Sequence, residues 1–373
     1  MRTLIGVNDP QAVKRWATAT AVAVNKNSYF GKKFVGNGRE SRLPIQRIDD
    51  LESGAGDEVT VDLLMPSNQE PVVMDEVLDG KEQPLKYYTD RMRIDQVRGG
   101  FDLGSRMTKK RTLRNIRQDA KRVGTDWWKR LMDELYFIYL SGSRGTGTGF
   151  IWSATNPFFT VNPLTAPDSS HQMYGNVATS KASLTATDTF KLRNIDRAIA
   201  KAETMGGDGT DELSMLPIDI DGEDHFVALM HTFQFDSLKS DTATGQWLDI
   251  QKAAAAAEGR NNPIFKGGQG MYANCVIHKH RNVIRFGDYG AGANLPAARA
   301  LFLGAQAAFV AYGDNESGAK FKWTEVERDH ENSVAIGLSS IFGVKKATYK
   351  SKDNATVRDF GVIAIDTYCA DPT

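Results

Sequence analysis

The chain has 373 residues, long enough for one large or two ordinary domains with cores of their own. Its 46 lysines and arginines balance 46 aspartates and glutamates, so no global field draws it to nucleic acid or to a membrane surface. Two cysteines, Cys275 and Cys369, cannot build a disulfide framework, and no apolar run fits a signal peptide or a membrane span; the expectation is a soluble, intracellular protein in a reducing compartment.

In chain order, Asp9-Pro10 signals a helix start, with Val13, Trp16 and Thr20 on one side of a helix that fades by Asn25. Residues 26–47 form a basic, glycine-dotted stretch with too few apolar residues for a core; it reads as a disordered tail or as an arm ordered on another subunit. Glu58 to Met65 alternates and predicts a strand with Val59, Val61, Leu63 and Met65 on one face. Leu85 to Val97 predicts a second. Between them, residues 66–84 carry three prolines, an Asp79-Gly80 turn and a partly apolar tip. A link of that length is usually functional or disordered. We read it as the end of a projecting β arm.

Residues 106–140 predict one long helix. Leu113, Ile116, Ala120, Val123, Trp127, Leu131, Leu135 and Ile138 recur at steps of three and four. A rod of that length would reach roughly 50 Å, with Gly124 as its expected bend. Its first two thirds is basic, and its last two turns are apolar nearly all round. Beyond it, residues 141–187 are glycine-rich and then weakly patterned. Asp188 is expected to cap a helix bearing Leu192, Ile195, Ile199 and Ala202, ended by Gly206-Gly207. A strand over 224–230, a helix from Thr244 through the alanines 253–257, strand-like runs over 271–280 and 301–312, and a terminal hairpin around 351–354 complete an α+β reading.

Little here points to chemistry. Gly31 to Gly38 has Asn37 where a phosphate loop needs lysine, and Gly145, Gly147 and Gly149 have the wrong spacing for a dinucleotide fingerprint. Asp219, Asp221 and Asp224 cluster as hard-cation ligands would but lack the closing glutamate; a solvated turn is the plainer reading. His278 and His280 would share a strand face, as two metal ligands could, without a third ligand nearby in sequence. An exposed strand face is the expectation there. With no GxSxG, HExxH or CxxC and only six histidines, an acid–base enzyme is disfavoured, and no cofactor or metal is expected. The basic face of Lys109 to Arg122 could track phosphates or answer an acidic partner subunit.

Taken together, GDEVTVDLLMP (56–66), YTDRMRIDQVR (88–98), DWWKRLMDELYFIYLSG (126–142), GMYANCVIHKH, RALFLGAQAAFVAYG and the C-terminal strands resemble the major capsid proteins of tailed bacteriophages with the Hong Kong 97 fold, nearest the podovirus-type subgroup. The resemblance covers most of the chain. It implies an N-terminal arm (1–49), an extended β-hairpin loop (50–100), a peripheral domain (101–187) with a spine helix over 106–140, an axial domain (188–318) and a return to the peripheral sheet (319–373). It further implies inter-subunit roles for Val72, Val73, Met74, Val77 and Leu78 at the loop tip and for Trp16, Tyr29, Phe30 and Phe34 in the arm. Leu113, Ile116, Val123, Trp127, Leu131 and Leu135 would be the spine's core residues.

The function so implied is a structural, self-assembling shell subunit of the virion, made in the host bacterial cytoplasm and working as hexamers and pentamers. Packaged double-stranded DNA would be touched only weakly and non-specifically, and no membrane is involved. Portal and decoration proteins are candidate partners. Met1 leads almost directly into the arm, so any scaffolding protein is expected to be a separate chain. Two alternatives are a nanocompartment shell of the same fold and a metal-dependent hydrolase using Asp219, Asp221, His278 or His280.

Overall fold

A computed structural model describes residues 24, 28–38, 41–51, 56–64, 70–74, 76–82, 87–206, 213–220, 222–240, 270–313, 320–350 and 357–372. The helix expected after Pro10, with Trp16, and the one expected from Thr244 lie outside the described residues.

Ser28 caps a short helix, α1 (Tyr29–Lys33), its Oγ accepting from the Gly31 amide at 3.1 Å. The parallel strands β1 (Val35–Asn37) and β2 (Ile45–Ile48) follow. This corrects the expected subunit-spanning role of these residues. Phe30 and Phe34 are fully buried in their own subunit, and Tyr29 packs on the same core. The two phenylalanines stand four apart, so one helical turn aims both inward, where each gains roughly 1.5–3 kcal/mol by burial.

β3 (Glu58–Leu64) and β4 (Tyr87–Arg93) pair with each other as a separate two-stranded ribbon, in register from Glu58 opposite Arg93 to Leu64 opposite Tyr87. The second strand, expected to run through to Val97, breaks at Ile94, whose amide donates to the Asp57 carbonyl. β5 (Asp95–Ser105) then enters a larger sheet. Val59 is buried, with Val61 and Leu63 packed beside it, as the alternation predicts. Met65 lies outside the described residues.

The expected single rod is two helices. α2 (Arg106–Arg111) stops at Thr112, which is extended, and Asn115 caps α3 (Ile116–Ser141) by accepting from the Gln118 amide at 3.3 Å. At 26 residues α3 is about 39 Å long. Of the expected core stripe, Leu131 and Leu135 are buried, and Ile116 and Trp127 are half-buried. Leu113 is fully exposed and Val123 is 54% exposed, which corrects both. The helix instead turns Ala120, Gly124 and Trp128 inward. Gly124 is a contact point: a Cβ there would sit 2.3 Å from Leu338 Cδ1 and 3.2 Å from the Phe101 ring. Small residues let helix and sheet approach, and periodicity weighted by large side chains selects the wrong face.

From Leu131 to Ser141 every residue of α3 is buried. This half shares one core with Ile336, Leu338 and Phe342 on one side and Leu229, Val276 and Leu301 on another. It lies between two sheets, which is why the sequence there is apolar all round.

α4 (Phe158–Val161) sets the Phe158 ring 5.5 Å from that of Phe342. The second sheet's region holds β6 (Gln172–Tyr174), α5 (Leu192–Thr204), β7 (Ile218–Ile220), β8 (Glu223–Met230), α6 (Thr232–Ser240), β9 (Gly270–Tyr272), β10 (Cys275–Lys279), β11 (Arg285–Tyr289) and β12 (Leu295–Leu303). Leu192, Ile195 and Ala202 face inward on α5, but Asp188 is not its cap. That carboxylate instead folds the preceding loop, accepting from the Thr185 amide at 2.9 Å and the Val177 amide at 3.2 Å. The run 271–280 is a hairpin turned by Ala273 and Asn274, both at positive φ.

β13 (Ala308–Tyr312), β14 (Lys322–Arg328), β15 (Ser333–Lys346), β16 (Thr348–Lys350), β17 (Val357–Asp359) and β18 (Val362–Tyr368) close the chain, with β16–β17 as the expected terminal hairpin. The first sheet runs β1-β2-β13-β15-β14, with β5 along the opposite edge of β15; the second runs β6-β18-β12-β8-β10-β9, with β7 on β8 and β11 on β12. The architecture is α+β, with the spine helix α3 as the element both sheets share.

Candidate assembly surfaces

The ribbon is fastened at its foot. The Asn162 side chain grips the Arg93 backbone twice, accepting from its amide at 2.9 Å and donating to its carbonyl at 2.7 Å. Lys345 pairs with Asp90 and donates to the Arg91 carbonyl at 2.9 Å, while the Thr348 hydroxyl reaches Asp90 at 3.3 Å. A cleft of about 240 Å³ remains between ribbon and body, lined by Ile48, Leu63, Tyr88, Phe309 and Phe360 among others. Sequence periodicity does not single out Asn162 or Asp90, because their partners lie 69 and 255 residues away.

The tip is bare. Val73, Met74, Val77 and Leu78 are 60%, 98%, 70% and 55% exposed, and Val72 is half-buried. The Asp79-Gly80 turn forms as read, with the Lys81 amide donating to the Leu78 carbonyl at 2.9 Å and Gly80 at φ 86°. Lys81 pairs with Glu76 at 2.6 Å within the tip. Four exposed large apolar side chains within six residues form a patch of the kind that marks an interaction surface.

A second surface is the start of the spine. Lys109, Lys110, Arg111, Arg114 and Arg122 are exposed, beside the exposed apolar Met107, Leu113 and Val123. Arg117 pairs with Glu325 of β14.

The N-terminal segment is keyed to the spine by one carboxylate. Asp133 accepts from the Ser28 hydroxyl at 2.6 Å, the Tyr29 amide at 3.0 Å and the Phe30 amide at 3.2 Å. Burial raises its pKa, and those three donors oppose the rise. The clue in the sequence is a polar Asp-Glu pair inside the apolar run from Leu131 to Leu140. At the far end of the helix, buried Arg299 donates to Asp366 through Nε at 2.7 Å and a terminal nitrogen at 2.8 Å, and to the Ser141 carbonyl at 2.8 Å. One guanidinium thus ties the spine's C-terminus to the second sheet.

The candidate chemical groups have structural settings. His278 is buried rather than exposed, its ring 5.4 Å from Phe34, and His280 stacks on Phe137 at 4.9 Å. Burial, with Arg281 and Lys33 nearby, pushes His280 down to about 4, so the ring is neutral at pH 7. Asp219 accepts from the Gly222 amide in a turn, and Asp221 lies outside the described residues. Burial pushes both thiols up, Cys369 to about 12, and the Cys369 sulfur lies 3.7 Å from His231 Nδ1. Among the described residues, no three His, Cys, Asp or Glu side chains gather as a metal site. Nor, among them, is any helix long and apolar enough to cross a membrane.

A family model described as phage capsid protein matches residues 4–371. The major capsid protein of Pseudomonas phage KPP25 is 26% identical over 366 residues, covering 91% of each chain. The capsid structure of Ralstonia phage GP4 is 46% identical, covers 100% of both chains and superposes with a TM-score of 0.84. The capsid of cyanophage Pam1 shares the fold at 20% identity and a TM-score of 0.67, over 91% of this chain and 92% of that one.

Proposed function

Since this chain belongs to the phage capsid protein family, as a major capsid protein of the icosahedral shell, we propose that its ribbon is the fastener between copies. The family's role is structural rather than catalytic, and the chain's place is the virion capsid. The observation that carries the proposal is the ribbon itself: two strands that pair only with each other, braced at the foot and ending in exposed Val73, Met74, Val77 and Leu78. Burying such a tip on a sister copy adds contact area without enlarging either core. Each contact can be modest, because closure of a lattice makes many of them simultaneous.

On the Hong Kong 97 plan, α3 and the first sheet would be the peripheral domain and the second sheet the axial domain. Copies would group as hexamers and pentamers. A separate scaffolding protein, a portal and decoration proteins remain the candidate partners, and assembly in the host bacterial cytoplasm precedes weak, non-specific contact with packaged DNA.

Deleting residues 70–81 tests the fastener. The expected result is a folded subunit whose melting is unchanged, because the described side chains removed are exposed apart from half-buried Val72, but which closes no shells by electron microscopy. Normal particles from that deletion would refute it.

A further inference from the structure

Lys346 and Asp359 meet in a dry setting. Among the described ion pairs, theirs is the one between a lysine and a carboxylate in which both side chains are almost fully enclosed, at 1% and 3% exposed. Lys346 Nζ lies 2.7 Å from Asp359 Oδ1 and 2.8 Å from Oδ2, which brings the carboxyl carbon within reach of the nitrogen, and it also donates to the Thr165 carbonyl at 3.0 Å. Asp359 is held by its backbone as well. Its amide donates to Asp168 at 2.6 Å, and Asp168 in turn accepts from the Ser170 hydroxyl at 2.6 Å and lies 2.9 Å from His171 Nδ1. Burial lowers the pKa of Lys346 and raises that of Asp359, against their mutual attraction. Each is thereby drawn toward its uncharged form, an amine beside a carboxylic acid. The similarly buried Arg299–Asp366 pair has no such option, because a guanidinium keeps its proton, and the Lys345–Asp90 pair is more open, at 17% and 10% exposed.

We propose that Lys346 and Asp359 condense to an isopeptide bond, a covalent staple within one subunit. Lys346 Nζ first passes a proton to an Asp359 oxygen, which opens the charged fork and leaves a neutral amine facing a carboxylic acid. The nitrogen lone pair then attacks Cγ. The bond from Cγ to the hydroxyl breaks as that hydroxyl takes a second proton from the nitrogen and departs as water. An ammonium and a carboxylate become a secondary amide and one water, with no oxidant, reductant or cofactor. Although burial alone would raise it, the Asp168 carboxyl is held well below the usual carboxylate range by His171, Ser170 and the Asp359 amide, and its negative charge disfavours the Asp359 anion. Holding nucleophile and electrophile in contact supplies the effective concentration the step needs, and the amide removes two charges from a site where charge is costly. The bond has a structural consequence. Lys346 ends β15 of the first sheet, and Asp359 ends β17 just ahead of β18 of the second. The staple ties the two sheets together independently of the backbone over residues 347–358, so pulling on either sheet cannot open the hairpin between them.

Mass spectrometry of the full-length chain, purified folded and then denatured, tests this. The expected intact mass is about 18 Da below that of the sequence, the mass of one water, once removal of Met1 is allowed for. A tryptic digest should show no cleavage after Lys346 and should contain a branched peptide that joins residues 346–350 to residues 359–373. Lys346→Arg keeps the positive charge but cannot condense, so it should return the chain to its sequence mass. The reading on the unaltered chain depends on no variant's folding. Full sequence mass, with normal cleavage after Lys346, would overturn the proposal and leave an ordinary buried ion pair. A water lost at another position, such as a succinimide at Asp79-Gly80, with the 346–350 peptide unbranched, would overturn it equally. So would a Lys346→Arg chain that still lacks one water.

Discussion

Replacing Asp133 with alanine asks how firmly the N-terminal segment is seated. The substitution removes a buried acceptor of three hydrogen bonds, from Ser28 Oγ, Tyr29 N and Phe30 N. Hydrogen bonds to a charged group contribute about 1.5–3 kcal/mol each, but removal also relieves the cost of burying the carboxylate, the same cost that raises its pKa. The Ser28 hydroxyl can rotate toward another acceptor, whereas the two amides of the first helical turn cannot. Two orphaned amides at about 1–3 kcal/mol each put the net loss near 2–4 kcal/mol. Peeling α1 away would rescue those amides but would expose Phe30 and Phe34. That forfeits about 3–6 kcal/mol of burial, together with ring contacts such as Phe30–Phe137 at 4.8 Å. Burial wins, so α1 should stay docked while the whole subunit loses stability. Urea denaturation of the disassembled subunit should show a lower midpoint at unchanged slope. Hydrogen exchange at residues 29–33 should quicken while remaining partly protected, and Asp133→Asn, which keeps one acceptor oxygen, should fall between. An unchanged midpoint, or complete loss of protection in α1 with a normal melt, would refute the reasoning.

Two further outcomes follow from the buried polar groups. Arg299→Met should cost about 3–5 kcal/mol by leaving buried Asp366 without its countercharge, with only the Tyr289 hydroxyl and the Gln172 amide still donating to it, and adding Asp366→Leu should regain part of that loss in a denaturation series; a double variant as unstable as the sum of the singles would contradict this. His280, held neutral in the fold with its pKa near 4 against an ordinary 6.5, binds a proton more readily when unfolded. Its contribution is therefore complete above about pH 6.5 and is lost as pH falls toward 4. Melting temperatures across that range should fall less steeply in His280→Phe, and parallel profiles for the two proteins would count against the assignment.

The ribbon shows what was legible. Alternation in Glu58 to Met65, the Asp79-Gly80 turn and the proline-rich tip all depend on residues close in the chain, whereas the register that sets Glu58 opposite Arg93 is not the one a turn at Asp79-Gly80 would give. The basic character of the first turns of α3 was equally readable, although the break at Thr112 and the Asn115 cap were not, because the apolar register runs straight across them. Leu113 and Val123 were misplaced for a related reason. Periodicity reports which side of a helix is greasy, and here the inward face carries small residues, Ala120 and Gly124, the latter closely approached by Leu338 and Phe101.

By itself the sequence determined most of the local elements, the charge of each surface segment and the apolar character of the tip, since all of these are carried by residues within a few positions of one another. Only the tertiary structure decided that Phe30 and Phe34 belong to their own subunit's core, that His278 is buried, and that Asp133 receives Ser28 from 105 positions away. Buried polar groups must find partners wherever the fold brings donors and acceptors together, and side-chain volumes must fit whatever surface arrives opposite. Neither condition leaves a periodic trace along the chain.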